Sequence, residues 1–100
     1  MATPRRYPLI FNPKARGQKG GKFLRFLMEH AGRFAMYGTN HAGEARELAA
    51  KLAAEGEPIV IAAGGDGTLN EVVSGLAGSS TVLGVLPAVD VRHSSGIRQV

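Results

Sequence analysis

The sequence predicts a single α/β domain in three layers, built on a doubly wound parallel sheet in the order β-α-β-α-β-α-β. Short apolar runs typical of buried strands lie at residues 8–11, 33–37, 59–63 and 81–87. Amphipathic segments with apolar residues at helical spacing separate them, at residues 22–31, 45–53 and 69–77. Strands that alternate with helices over short connections are typical of parallel sheets with right-handed crossovers.

The composition is that of an ordinary globular domain. The chain has 100 residues, of which 44% are hydrophobic, so one small core is possible. The sequence contains neither a run of roughly 20 apolar residues, which a membrane span needs, nor the apolar core of a signal peptide. With no cysteine, disulfides and thiol chemistry are excluded. We therefore expect a cytoplasmic protein.

Positive charge is concentrated in the first third of the chain, within a formal net charge of +4. The basic residues there are Arg5, Arg6, Lys14, Arg16, Lys19, Lys22, Arg25 and Arg33. Such a block favours an anionic partner, either nucleotide phosphates or an anionic membrane surface, although any single cation is explained as well by a solvated surface. Nucleic acid is disfavoured, because the few aromatic residues do not interleave with the charges.

A glycine-rich turn joins the third predicted strand to the third predicted helix, and reads GGDGT at residues 64–68. Backbone N–H groups at a helix start attract phosphate, and glycine lets an anion approach because no Cβ intervenes. We interpret the turn as a phosphate-binding loop. The alternative is a tight turn that needs positive φ, and spacing alone does not separate the two. Thr68 and Glu71 have capping-box spacing, which predicts that the helix begins here.

Two further polar residues follow predicted strands. Asn12 follows the first strand and Thr39 the second. The carboxyl ends of parallel strands meet at one edge of the sheet, and ligands bind there where the strand order reverses. Both side chains could therefore hydrogen-bond to phosphate oxygens. Local alternatives remain for each, because asparagine before Pro13 is a common turn starter and Thr39 with Asn40 is a common helix cap.

Three motifs resemble those of the diacylglycerol kinase catalytic domain family. The first is GGDGTLNEVV at residues 64–73. The second is the Asn-Pro pair at residues 12–13 with a basic, glycine-rich loop after it, and the third is Thr39 followed by Gly-Glu-Ala at residues 43–45. The resemblance covers roughly residues 7–88. A GGDG turn alone would be less specific, because NAD kinases and phosphofructokinases carry a related one.

The resemblance implies an ATP-dependent lipid kinase that uses Mg²⁺ and transfers a phosphoryl group to a lipid hydroxyl. The residues implied in ATP binding are Asn12, Thr39, Gly64, Gly65, Gly67 and Thr68. Asp66 is the implied catalytic residue, either as the base toward the hydroxyl or as a group near Mg²⁺, and a purely structural aspartate stays possible. No transition-metal site is assigned, because the three histidines, His30, His41 and His93, lack ligand spacing.

The resemblance also divides the chain. We expect a flexible basic lead-in at residues 1–6, a nucleotide-binding domain at 7–88 and a divergent tail at 89–100. The family continues with a glycine–threonine and asparagine–aspartate segment and a β-rich lipid-binding domain, which residues 89–100 do not match. We therefore expect the N-terminal half of a lipid-kinase fold, inactive by itself, on the cytoplasmic side of a membrane surface.

Two other functions remain open. The chain could be a non-catalytic remnant or self-associating module that keeps the fold, in which case exposed apolar surface would favour a homo-oligomer. A kinase acting on NAD or a sugar phosphate rests on the glycine turn alone, and the other two motifs disfavour it. Under every alternative the apolar helix positions are expected in the core, namely Phe23, Leu27, Met28, Val72, Val73 and Leu76.

Overall fold

The structure is a computed structural model that describes residues 6–13, 25, 28–87 and 98–99. Some sequence predictions fall outside these residues. They are the basic loop at residues 14–21, most of the first predicted helix with Phe23 and Leu27, most of the tail, and His93.

Five strands form one sheet. They are β1 (Tyr7–Phe11), β2 (Phe34–Gly38), β3 (Ile59–Gly64), β4 (Val82–Pro87) and β5 (Arg98–Gln99). Their spatial order is β2-β1-β3-β4-β5, in which the first four strands are parallel and β5 runs antiparallel to β4. The predicted α/β fold with a parallel sheet is confirmed. The antiparallel edge strand lies in the tail and is not predicted by the sequence.

Two helices of the described residues connect strands of this sheet. They are α1 (Glu44–Ala54), between β2 and β3, and α2 (Asp66–Leu76), between β3 and β4; a short 3-10 helix (Ala31–Arg33) precedes β2. Both helices pack on the same face of the sheet in one hydrophobic core. Its buried members are Ile10, Ala45, Ala49, Leu52, Val60, Ala62, Val72 and Leu76. Neither helix is long and apolar enough to cross a membrane.

Strand β3 is apolar on both faces of the sheet. Val60 and Ala62 face the helices, while Ile61 and Ala63 belong to a second buried cluster on the opposite face with Leu9. A strand buried on both faces has no polar alternation. This explains why residues 59–63 form a continuous apolar run in the sequence.

The two helices cross at close range. A Cβ added at Gly75 of α2 would lie 2.3 Å from the carbonyl oxygen of Arg46 and 2.8 Å from the Cβ of Ala49, both in α1. Only a residue without a side chain allows this approach, because real Cβ atoms essentially never come within 3.0 Å of such neighbours. The small residues of α1 and α2 therefore bring the helices, and the loops that precede them, close together.

The two helices end within one residue of the bounds predicted from their apolar spacing, but the predicted caps are wrong. Gly56 and Gly78, one residue beyond the C-caps, adopt φ values of 87° and 83°, as is common for glycines that end helices. Helix α1 starts at Glu44 after a left-handed Gly43, so neither Thr39 nor Asn40 caps it. A side chain from the other helix instead accepts from the N–H groups of Gly43 and Ala45, as described below.

The capping box predicted for the other helix is also wrong. Helix α2 begins at Asp66, with Gly65 as its N-cap and no capping hydrogen bond from a side chain. Thr68 is already inside the helix, so it cannot be the cap, and Glu71 turns toward α1.

Two residues expected in the core are exposed instead. Val73 is 47% exposed, because it lies one position beyond the fully buried Val72 and a helix turns by about 100° per residue. Met28 is 65% exposed. Val72 and Leu76 are buried as predicted.

Candidate active site at the carboxyl edge of the sheet

The strand order reverses between β1 and β3. The chain passes from β1 to β2 on one side, and then crosses β1 to reach β3 on the other. Phe11, the last residue of β1, is in register with Gly38 of β2 and with Ala63 of β3. The residues that follow these strands, Asn12, Thr39 and the glycine turn, therefore lie along one edge of the sheet, at the place where ligands bind in folds of this kind.

The glycine turn presents an uncapped helix start at this edge. Helix α2 begins with Asp66, and its first backbone hydrogen bond runs from the N–H of Leu69 to the carbonyl oxygen of Gly65, at 3.1 Å. The N–H groups of Asp66, Gly67 and Thr68 therefore have no partner within the helix. Among the residues that the structure describes, no side chain caps them either, so these donors are open to an anion, and the helix dipole favours negative charge at this end.

The glycines of the turn do not all serve the same purpose. Gly64 has φ of 138°, so a tight turn that needs positive φ explains this residue. Gly65 has φ of −88°, and Gly67 lies within the helix without positive φ. A Cβ added at Gly65 or Gly67 would meet no atom of the described residues within 4 Å. The fold itself therefore requires glycine at neither position, and the open space in front of their backbone suits a closely approaching ligand.

Asp66 is the only carboxylate in the turn, and it is exposed. Its side chain makes no hydrogen bond that caps α2. The interpretation of Asp66 as a structural residue satisfied by nearby N–H groups therefore finds no support among the described residues. Among all residues that the structure describes, no group of three or more histidine, cysteine, aspartate or glutamate side chains could hold a metal ion alone.

Thr39 and Asn12 differ in their surroundings. Thr39 is 4% exposed, and both its hydroxyl and its N–H donate to the carbonyl oxygen of Phe11, at 3.3 Å and 2.9 Å. Thr39 thus fastens the end of β2 to the end of β1. Asn12 is half-buried beside it. Contact of either side chain with a phosphate stays a prediction.

The sequence did not reveal the role of Glu71. Its carboxylate accepts hydrogen bonds from the N–H groups of Gly43, at 3.0 Å, and Ala45, at 3.2 Å, and so caps α1 from the neighbouring helix. The capping-box pattern pointed to Glu71 but assigned it to its own helix. Nothing in the local sequence indicates partners that are 26 and 28 residues away.

Charges at the start of α1 also act on a histidine. Nδ1 of His41 lies 3.1 Å from the carbonyl oxygen of Ala42, and its Nε2 lies 3.7 Å from a carboxylate oxygen of Glu44. These two contacts raise the pKa of His41 above its ordinary value of 6.5. The same Glu44 oxygen accepts a hydrogen bond from the N–H of Asn40, at 2.6 Å.

The strand order defines an α/β domain built on a parallel sheet, and similarity to known proteins defines the family. The sequence model of the diacylglycerol kinase catalytic domain matches residues 6–88. The chain belongs to this family.

Individual relatives agree with the family match. A diacylglycerol kinase from Bacillus subtilis strain 168 is 38% identical over 89 residues, which cover 83% of this chain and 29% of the relative. One from Staphylococcus aureus strain bovine RF122 is 37% identical over 89 residues, with 83% of this chain and 28% of the relative covered. The chain thus spans under a third of the length of these curated relatives.

A solved structure supports the same fold. The crystal structure of a diacylglycerol kinase from Bacillus anthracis strain Sterne superposes with a TM-score of 0.67 at 26% identity. The match covers 89% of this chain and 35% of that chain. The parallel sheet with its helices is therefore an arrangement that a kinase of this family also has.

Proposed function

We propose that this chain supplies the ATP-phosphate-binding part of a lipid kinase of the diacylglycerol kinase type. The reaction is the transfer of the γ-phosphoryl group of ATP to a lipid hydroxyl. One observation carries the proposal: the start of α2 lies uncapped at the switch point of the sheet. The space in front of Gly65 and Gly67 is open, although the fold does not require glycine at either position. Membership of the kinase family supports phosphate as the anion.

The backbone of the turn fits a chain of phosphates. The N–H groups of Gly65, Gly67 and Thr68 would donate to phosphate oxygens, together with that of Asp66, which also lacks a partner within the helix. Asn12 would contribute its amide from the other side of the crevice. Thr39 would bind a phosphate oxygen by turning its hydroxyl hydrogen away from the carbonyl oxygen of Phe11, because phosphate oxygens only accept hydrogen bonds.

Magnesium fits this site when it arrives with the nucleotide. Mg²⁺ keeps several waters and is held by one or two carboxylates together with substrate phosphates, rather than by a cage of protein ligands. One exposed carboxylate, that of Asp66, therefore meets the requirement. Bound Mg-ATP would supply the phosphoryl group, and its magnesium ion would neutralise part of the phosphate charge. The chain's own residues would bind and orient the nucleotide.

Asp66 has two chemical roles open to it. As a base, its carboxylate would take the proton of the lipid hydroxyl while the hydroxyl oxygen bonds to the γ-phosphorus and the bond to the β-phosphate oxygen breaks. As a magnesium ligand, it would instead hold the ion against the phosphates. Both roles need a carboxylate that is not engaged in a hydrogen bond that stabilises the fold. Asp66 meets this condition, because its side chain is exposed and does not cap α2.

The lipid and the membrane contact belong to the same proposal. We propose a cytoplasmic protein whose basic first third faces an anionic membrane surface. Arg6, Arg25 and Arg33, the described members of that group, are exposed, as this contact needs.

A non-catalytic, self-associating module is the second candidate. It is favoured by large apolar side chains on the surface: Val73 and Val82 are 47% and 48% exposed. Sedimentation at several concentrations separates this candidate from a monomeric binding domain, since self-association shifts the distribution to larger species as concentration rises.

Calorimetry with a matched pair of glycine substitutions tests the nucleotide site. Gly65→Ala places a methyl group in the proposed phosphate space, whereas Gly32→Ala adds the same methyl in equally open space in the 3-10 helix before β2. We expect wild type to bind Mg-ATP at millimolar concentrations, Gly65→Ala to weaken binding by about tenfold or more, and Gly32→Ala to bind as wild type does. Equal binding by all three proteins, or none by wild type, would contradict the proposal.

A further inference from the structure

Glu71 joins the two helices that border the candidate site. It lies in α2, one turn beyond the glycine turn, and its two carboxylate oxygens accept from the N–H groups of Gly43 and Ala45 at the start of α1. The side chain is half-buried between the helices. Since hydrogen bonds to a charged acceptor are stronger than neutral ones, this is a firm link between two segments far apart in sequence.

The link makes the two helix starts unlike each other. At α1, the N-cap Gly43 has no side chain, and Glu71 supplies the missing acceptor. Two further carboxylates, those of Glu44 and Glu47, lie in the first turn of α1. At α2, no side chain caps the N–H groups and Asp66 is the sole acidic residue of the first turn. We therefore expect an anionic ligand at this edge of the sheet to be repelled from α1 and to bind at α2.

The link also fixes the connection between β2 and α1. At its first residue, Thr39 is bonded to Phe11 of β1. At its last, Gly43 is bonded to Glu71 of α2. The connection is thus hydrogen-bonded at its first residue to β1 and at its last residue to α2, which lie on opposite sides of the switch point.

We propose that Glu71 is a positioning residue for nucleotide binding, which holds the connection at residues 39–43 against α2 and so fixes the crevice in which the phosphates bind. The inference rests on the proposed function. Glu71 would not touch the nucleotide through this role; it would act through the two N–H groups that it binds.

Two substitutions separate the contact from its consequence. Glu71→Ala removes both acceptors. Glu71→Gln keeps one acceptor oxygen but sets an NH₂ group against the second N–H, so it retains one of the two bonds. Glu55→Gln at the exposed C-cap of α1 is the control, because it removes one negative charge from the same helix pair without a bond to α1's start.

The first measurement is amide hydrogen exchange by NMR without nucleotide. We expect the N–H groups of Gly43 and Ala45 to exchange about tenfold faster in Glu71→Ala, with an intermediate effect in Glu71→Gln and none in Glu55→Gln. Unchanged exchange at both groups in Glu71→Ala would show that the capping contact is absent and would overturn the proposal.

The second measurement is Mg-ATP affinity at a temperature where all variants are folded. We expect Glu71→Ala to bind about five- to twentyfold more weakly than wild type, Glu71→Gln to lie between, and Glu55→Gln to match wild type. Faster exchange with unchanged affinity would show a merely structural cap and would overturn the positioning role. Failure of wild type itself to bind Mg-ATP would refute the proposed function, and the positioning role with it, while the exchange data report separately whether the cap exists.

Discussion

Replacing Gly75 by alanine should destabilise the fold, because the added methyl group would collide with the backbone of α1. It would lie 2.3 Å from the carbonyl oxygen of Arg46, 2.8 Å from the Cβ of Ala49 and 3.0 Å from the nitrogen of Ala50. Two of these three atoms are backbone and cannot rotate away, so the helices would have to separate by roughly 1 Å to restore ordinary contact distances.

The expected size of the effect follows from two opposing terms. Overpacking of a closely packed contact costs about 1–3 kcal/mol, and a collision with backbone belongs at the top of that range. Against it, alanine is favoured over glycine inside a helix by about 1 kcal/mol. We therefore expect Gly75→Ala to lower the free energy of unfolding by about 2 kcal/mol, which for a domain of this size lowers Tm by about 8–16 °C.

Gly67→Ala in the same helix is the matched control. Its methyl group would meet nothing within 4 Å, and the residue has no positive φ. We expect this variant to be as stable as wild type or more stable by up to about 1 kcal/mol, from helix propensity alone. Urea unfolding followed by far-UV circular dichroism measures both values, with an unchanged m-value as the sign that only stability differs. A Gly75→Ala variant as stable as Gly67→Ala would refute the close helix crossing.

Three further predictions concern single contacts. Glu44→Gln should lower the pKa of His41 toward 6.5. NMR titration of the imidazole measures this pKa, and an unchanged midpoint would contradict the prediction. Because the pKa of His41 is raised in the folded state, the stabilisation from its protonated form is complete below pH 6.5 and is lost as pH rises through the folded-state pKa. Thr81→Val should cost about 0.5–1.5 kcal/mol in urea unfolding, because the Thr81 hydroxyl donates to the carbonyl oxygen of Glu57 at 2.7 Å, whereas Thr81→Ser should retain most of that stability; equal losses in both would exclude this bond as the cause. Asp66→Asn should leave the free energy of unfolding within about 0.5 kcal/mol of wild type. It should also weaken the dependence of ATP binding on Mg²⁺. A large loss of stability would show that the aspartate is structural.

The alternation of strands and helices could be predicted from the sequence because it depends on local patterns. The continuous apolar run of β3 and the helical spacing of the segments on either side of it are visible without any knowledge of the fold. The ends of the helices followed from the same spacing, which stops at residues 53 and 77, next to Gly56 and Gly78. The general rule for parallel sheets also gave the position of the candidate site, where ligand binding stays a prediction.

The helix starts could not be predicted, because their partners come from another part of the fold. The sequence offered Thr39 and Asn40 as local caps for α1, but the actual acceptor is Glu71, on a neighbouring helix 26 to 28 residues further along the chain. The same residue made a convincing local capping box with Thr68 that does not exist. A local pattern predicts a cap only where the tertiary structure offers no competing acceptor.

The glycine turn illustrates a finer limit. Spacing alone left open whether its glycines serve the turn or a ligand. Backbone angles separate the two, because Gly64 needs its positive φ whereas Gly65 and Gly67 do not. A similar limit explains Val73, which neighbours the buried Val72 in sequence but faces solvent.

The central claim is that the uncapped start of α2 binds nucleotide phosphates, and an NMR titration of the chain with Mg-ATP tests it most directly. We predict that millimolar Mg-ATP shifts the amide signals of Gly65, Gly67 and Thr68 most strongly, with a smaller shift at Asn12, and leaves the capped N–H of Ala45 nearly unchanged. A titration that leaves the turn signals in place, or that shifts the start of α1 instead, would contradict the claim.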